Sequence, residues 1–203
     1  MLDRVRHSGR KQAAALVATV AVTLAAGCST QSPTAPAAPA PDLAVEERAR
    51  AALQPLKQNL LAELSGAMER GPVEALDVCR LRAPEIAAGL SRDGIRVGRT
   101  SHRPRNPRNA PEPWMEPLLD AYLDDPAERE PRTIEIDAAT VGYVEPIYVK
   151  PLCLTCHGTA LDADVEAKLT ELYPEDRATG FTTGDFRGMF WVTLPARAAS
   201  PES

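Results

Sequence analysis

The chain has 203 residues, 44% hydrophobic and 25% charged, enough for one globular domain and a leader but too few for a second sizeable core. Its formal net charge is −5. An acidic body argues against nucleic acid as a partner.

Arg4, Arg6, Arg10 and Lys11 form a positive start, and residues 13–26 are a run of apolar and small residues. That run has the length of a secretory signal core and falls short of the roughly twenty apolar residues a membrane span needs. It ends Leu24-Ala25-Ala26-Gly27-Cys28. Small residues before a cysteine resemble a bacterial lipobox, whose cysteine is acylated and becomes the new N-terminus. Residues 1–27 therefore read as a lipoprotein signal peptide and Cys28 as the lipidation site. The body would be tethered to a membrane outside the cytoplasm, in the periplasm or cell envelope. An ordinary signal peptide, the competing reading, exports the domain as well. Loss of the leader removes four cations and Asp3, which takes the net charge from −5 to −8. That charge permits a cationic redox or signalling protein partner.

Residues 28–41 are rich in Pro, Ala, Ser and Thr, a composition that builds no core and favours an extended spacer. The folded domain is expected over residues 42–197, with a tail at 198–203. Asp42 is a plausible N-cap for a helix in which Leu53, Leu56, Leu60, Leu64 and Met68 recur every three or four residues. Pro55 predicts a kink or a junction of two helices there, and Gly71-Pro72 a stop. The leucines would serve the core or a dimer contact.

A second helical stripe holds Leu76, Cys79, Ala83, Ile86 and Leu90, with Pro84 starting a fresh turn. Residues 95–100 predict a strand, 101–113 a loop and 114–123 a short helix. Residues 133–136 and 141–149 predict a hairpin turning at 137–140. A helix over 164–172 and a strand over 187–194 follow. The sum is an α+β domain, a small antiparallel sheet with helices on one side.

Directly after the hairpin comes Cys153-Leu154-Thr155-Cys156-His157-Gly158. Cys-x-x-Cys-His is the spacing that covalent attachment of a c-type haem requires: each thiol joins one vinyl group and the adjacent histidine falls under the iron. Cys153 and Cys156 are thus the attachment residues, His157 the proximal ligand, and one haem c the cofactor, wedged between sheet and helices. It would add aromatic mass to a chain with only 4% aromatic residues. Zinc would need a second cysteine or histidine pair at finger-like spacing, which is absent, and a thioredoxin-like dithiol would want a βαβ context.

The group opposite His157 decides the function. Met68, Met115, Met189, His102 and Cys79 are available, and simple burial as a small hydrophobe is the plain account of Cys79. Six arginines crowd residues 92–108 against Asp93 alone. A solvated loop face is the default for such a run, and the sharper reading pairs Arg99 and Arg105 with the haem propionates. Asn106 and Asn109 suit loop-fixing roles.

Cys79, Ala83-Pro84, Arg99-Thr100-Ser101, Arg105-Asn106-Pro107 with Asn109, Pro113-Trp114, the Cys153–Gly158 stretch and Gly184-Asp185-Phe186-Arg187-Gly188 together resemble a single-haem c-type family. That family was long catalogued as a domain of unknown function. The resemblance implies a PAS-like fold, found alone or as the input region of sensor kinases, with members whose iron is held by histidine and cysteine. On that ground Cys79 becomes the distal ligand. Met115 departs from the family, which usually has an acidic residue after the tryptophan, and His102 occupies a position not associated with ligation.

These readings favour a membrane-tethered redox or diatomic-gas sensor, with a periplasmic electron carrier as the alternative. No enzymatic activity is expected, because Cys79 would block the iron face that peroxidase chemistry needs.

Overall fold

In the computed structural model the described residues are 43–196. The signal peptide, Cys28, the spacer, Asp42 and the tail at 198–203 lie outside them. Helix α1 (Leu43–Met68) opens the domain, followed by α2 (Pro72–Asp77), a π-helical segment (Val78–Arg82) and α3 (Ala83–Leu90). Strand β1 (Arg96–Thr100) leads through a loop to α4 (Glu116–Asp124), then β2 (Arg132–Asp137) and β3 (Thr140–Tyr148). The one-turn helix α5 (Leu154–His157), α6 (Ala163–Leu172) and β4 (Phe186–Pro195) complete it.

The four strands form one antiparallel sheet in the order β1-β4-β3-β2. The last strand therefore lies in the middle, where it pairs with β1 on one side and the β2–β3 hairpin on the other. Successive residues of a strand face opposite ways, and the sheet uses both faces. Tyr143, Val192 and Leu194 pack on α1 with Leu53, Leu56 and Leu60, while Val144 and Met189 pack on α4 with Leu118, Leu119 and Tyr122. Helices thus cover both faces and not the one expected, because Leu118 and Tyr122, one turn apart on α4, together with Leu119 need a second apolar surface.

Two further expectations change. Helix α1 runs through Pro55 as one element. Proline leaves the carbonyl four residues back without its donor. That residue, Ala51, is exposed, so water can serve it, while Leu53, Leu56 and Leu60 at 7% exposure or less hold the helix to the sheet. The same burial assigns these three leucines to the core of the domain. The second helix carries an extra residue in its middle, which turns residues 78–82 into a π segment containing Cys79.

Candidate functional site

The segment before His157 is built from a single 3-10 turn, Pro151–Cys153, that runs straight into α5. Helical turning brings Cys153 and Cys156, three positions apart, towards one side of the chain. Gly158 ends the turn, its amide bonded to the Leu154 carbonyl at 2.9 Å. A Cβ at Gly158 would come within 2.6 Å of that same oxygen, so only glycine fits. The two thiols face different neighbours: Cys156 lies against Leu76, Val165, Leu169 and Tyr173, and Cys153 against Val149, Ala178 and Phe181. Cys79, Cys153 and Cys156 are all free thiols.

His157 is held by its own loop. Its Nδ1 lies 2.6 Å from the Ala178 carbonyl oxygen. A carbonyl only accepts, so Nδ1 carries the proton and Nε2 keeps its lone pair. Burial, followed by the positive charges of Arg187 and Arg105, pushes the imidazole pKa down to about 3. The ring is neutral at physiological pH, the form that binds a metal.

The loop carrying Ala178 is strapped down from two sides. The amides of Gly180 and Phe181 donate to the carbonyls of Gly158 and His157 at 2.8 and 2.9 Å. From the loop after β1, Arg103 Nε donates to the Arg177 carbonyl at 2.8 Å and the guanidinium sits over the Phe181 ring. Arg105 forms a buried ion pair with Asp176, Nε to Oδ2 at 3.0 Å. Its Nη2 also donates to the carbonyls of Cys156 and Ala178.

Cys79 enters from the π segment. Burial raises the pKa of the Cys156 thiol, the nearness of Cys79 adds to that rise, and Cys79 also lies near enough to act on Tyr173 and Arg187. Cys79 and Arg105 act on Cys156, and Arg99 and Arg105 act on His157, so groups scattered over 79 positions of sequence converge on one region. Cys28 is the one predicted site residue outside the described region.

Arg187 was not singled out in the sequence as a site residue, although the Gly184–Gly188 stretch was. Burial and the charges of Arg105 and Arg99 lower its pKa to about 10, with only Asp176 and Cys79 acting against that. Its Nη1 donates to Ser101 Oγ at 2.8 Å. Gly188, at φ +144°, permits this approach, because a Cβ there would lie 2.2 Å from the Thr100 oxygen. Three guanidiniums thus face one nearby carboxylate, and Arg105 Nη1 and Arg187 Nε are buried without a hydrogen-bond partner. Asp176 and Ala178 were equally missed, since nothing in the local sequence of that loop marks them.

The pattern of the Tll0287-like family matches residues 7–195, nearly the whole chain. The chain belongs to the Tll0287-like family. Among solved structures, the crystal structure of the cyanobacterial heme-protein Tll0287 is similar at a TM-score of 0.57 and 27% identity, covering 79% of this chain and 100% of that one. No curated protein matches. Membership of the Tll0287-like family bears out the resemblance read from the sequence, and the open four-stranded sheet with flanking helices bears out the α+β, PAS-like fold.

Proposed function

We propose that this chain is an exported, lipid-anchored protein carrying one covalent haem c, and that it works as a redox or diatomic-gas sensor or regulatory module. The observation that carries the haem reading is the bond from His157 Nδ1 to the Ala178 carbonyl, with two thiols beside it. Metal-bound histidines commonly anchor their second nitrogen this way, which fixes the tautomer and the ring. The name of the similar cyanobacterial heme-protein agrees.

The residues fit the group. Cys153 and Cys156 would hold it by thioethers, His157 Nε2 would be the proximal ligand and Cys79 Sγ the distal one. The buried, unpartnered Arg105 Nη1 and Arg187 Nε call for an anion, and the propionates supply two. Arg99 adds a third positive charge to that side. When bound, haem supplies a one-electron iron couple and a coordination position for small ligands.

The sensor reading is supported by the π segment around Cys79. One extra residue in a helix is a costly register that often marks a functional site, and relaxing it would carry the Cys79 thiol away from its partners. The second reading, an electron carrier, draws on the strapping of the 176–181 loop, since a rigid proximal side keeps reorganisation small. Export and lipid anchoring at Cys28 rest on the lipobox, and they place the domain where c-type haem is attached in bacteria.

Optical and EPR spectra of wild type and Cys79→Ala, matured with a c-type haem assembly system, test the ligand set. Identical ferric spectra would remove Cys79 as a ligand. Carbon monoxide uptake by the reduced wild type favours the sensor, and its absence the carrier.

A further inference from the structure

We propose that the Arg105–Asp176 ion pair is the positioning element for the proximal ligand, fixing the orientation of the His157 imidazole through the Ala178 carbonyl. The inference rests on the haem reading above and goes beyond it by giving Arg105 and Asp176 a task other than contact with the cofactor.

The connections form a closed ring of bonds. Asp176 Oδ2 accepts from Arg105 Nε at 3.0 Å, while Oδ1 accepts from the Ala178 amide at 2.7 Å. Arg105 Nη2 reaches the Ala178 carbonyl at 3.3 Å and the Cys156 carbonyl as well. The Ala178 carbonyl accepts from His157 Nδ1. One guanidinium therefore ties the peptide before His157 to the peptide on which the His157 ring leans. One carboxylate holds both the guanidinium and the amide of Ala178, the residue whose carbonyl His157 meets. The pair is buried, with 7% and 12% of the two side chains exposed, so water cannot readily replace either partner.

A planar fork is needed for this. Arg105 uses Nε for the carboxylate and Nη2 for two carbonyls at once, a geometry that a lysine ammonium at the end of a flexible stem does not reproduce. Apart from an edge-on contact with the Phe181 ring at 6.5 Å between centroids, the ring torsion of His157 is set by a bond to a loop carbonyl, and that loop has no regular secondary structure of its own. Without the pair, Ala178 would lose the bond from its own amide and the one from Arg105 to its carbonyl, the remaining straps would hold its neighbours Arg177, Gly180 and Phe181 and not Ala178 itself, and the imidazole would adopt several orientations. Partners of ligating histidines are known to matter at this level, commonly changing metal affinity or activity by about 10- to 100-fold.

The test uses the full chain matured with haem and three variants: Arg105→Lys, Asp176→Asn, and the two together as Arg105→Gln/Asp176→Asn. The expected result is a ferric low-spin EPR signal that is broadened or split into more than one species in all three, while the pyridine haemochrome shows haem still attached. Arg105→Lys preserves charge and the double variant removes both charges, so a broadened signal in each reports geometry and not electrostatics. Asp176→Asn is nearly isosteric and carries the test if the arginine variants fold poorly. Sharp, wild-type EPR signals in the variants, or a shift in Asp176→Asn that the double variant restores to wild type, overturn the proposal. A wild-type protein without haemochrome overturns the haem reading itself, a separately visible outcome.

Discussion

The imidazole of His157 leans on a peptide 21 residues further along the chain, Nδ1 to Ala178 O at 2.6 Å. That single bond selects the tautomer and turns Nε2 away from the 176–181 loop. It converts a short sequence motif into a site with direction.

Thioether attachment is the first consequence to check. Cys153→Ala and Cys156→Ala should each retain haem through one remaining bond, with a displaced α-band in the pyridine haemochrome. The double variant should release its colour on acid-acetone extraction. Haem that stays with the double variant would contradict covalent attachment at this pair.

Arg187→Gln reports on the anion site. With haem held as proposed, loss of this half-buried cation would favour the more positive ferric state, so the midpoint potential should fall. The propionates would also hold their protons more tightly, moving any pH-dependent step of the potential to higher pH. A potential and a pH step both equal to those of the wild type in redox titrations would remove Arg187 from the propionates.

The pH dependence of folding should trace in part to His102. Burial, then the charges of Arg103, Arg187 and Arg177, lower its pKa below the usual 6.5, and Nδ1 is buried without a partner. The unfolded chain takes up a proton near 6.5 that the folded chain refuses. Stability is complete above that pH and declines as pH falls below it. His102→Phe, which keeps the stacking on Phe186, should flatten the decline in urea unfolding measured between pH 7 and 5.

Helix α1 offers a pair of opposite effects one residue apart. Leu56 is 1% exposed against the sheet, and Leu56→Ala should cost about 2–5 kcal/mol. Pro55→Ala restores the missing helical donor and should gain about 1–3 kcal/mol. Chemical denaturation reads both, and a destabilised Pro55→Ala would mean that the helix depends on the proline.

Cys28 has its own signature. Cys28→Ala should move the protein from the membrane fraction to the soluble one, and mass spectrometry of the wild type should find an acylated N-terminus at residue 28. An unmodified mature N-terminus elsewhere would end the lipoprotein reading.

The elements and the haem motif were legible in the chain because both are local. Hydrophobic period marks a helix or a strand within about ten residues, and the thiol and imidazole spacing of residues 153–157 is complete in five. Cys79 could be placed on a helical stripe, yet the inserted residue that makes residues 78–82 a π segment has no signature in a pattern of spacings. Pro55 misled for the opposite reason: its local cost is real, and burial of leucines from distant strands outweighs it.

What only the tertiary structure decided is which groups meet. By itself the sequence determined the Cys-x-x-Cys-His spacing of residues 153–157 and the α+β order of elements. The partners of His157, Ala178 and through it the Arg105–Asp176 pair, come from two irregular loops, 71 residues apart in the case of the ion pair. Such loops carry no period, and their side chains acquire meaning when burial removes water as the alternative partner. Arg187 likewise became a site residue through the company of Arg99 and Arg105, a concentration of charge that forms when β1 and β4 pair.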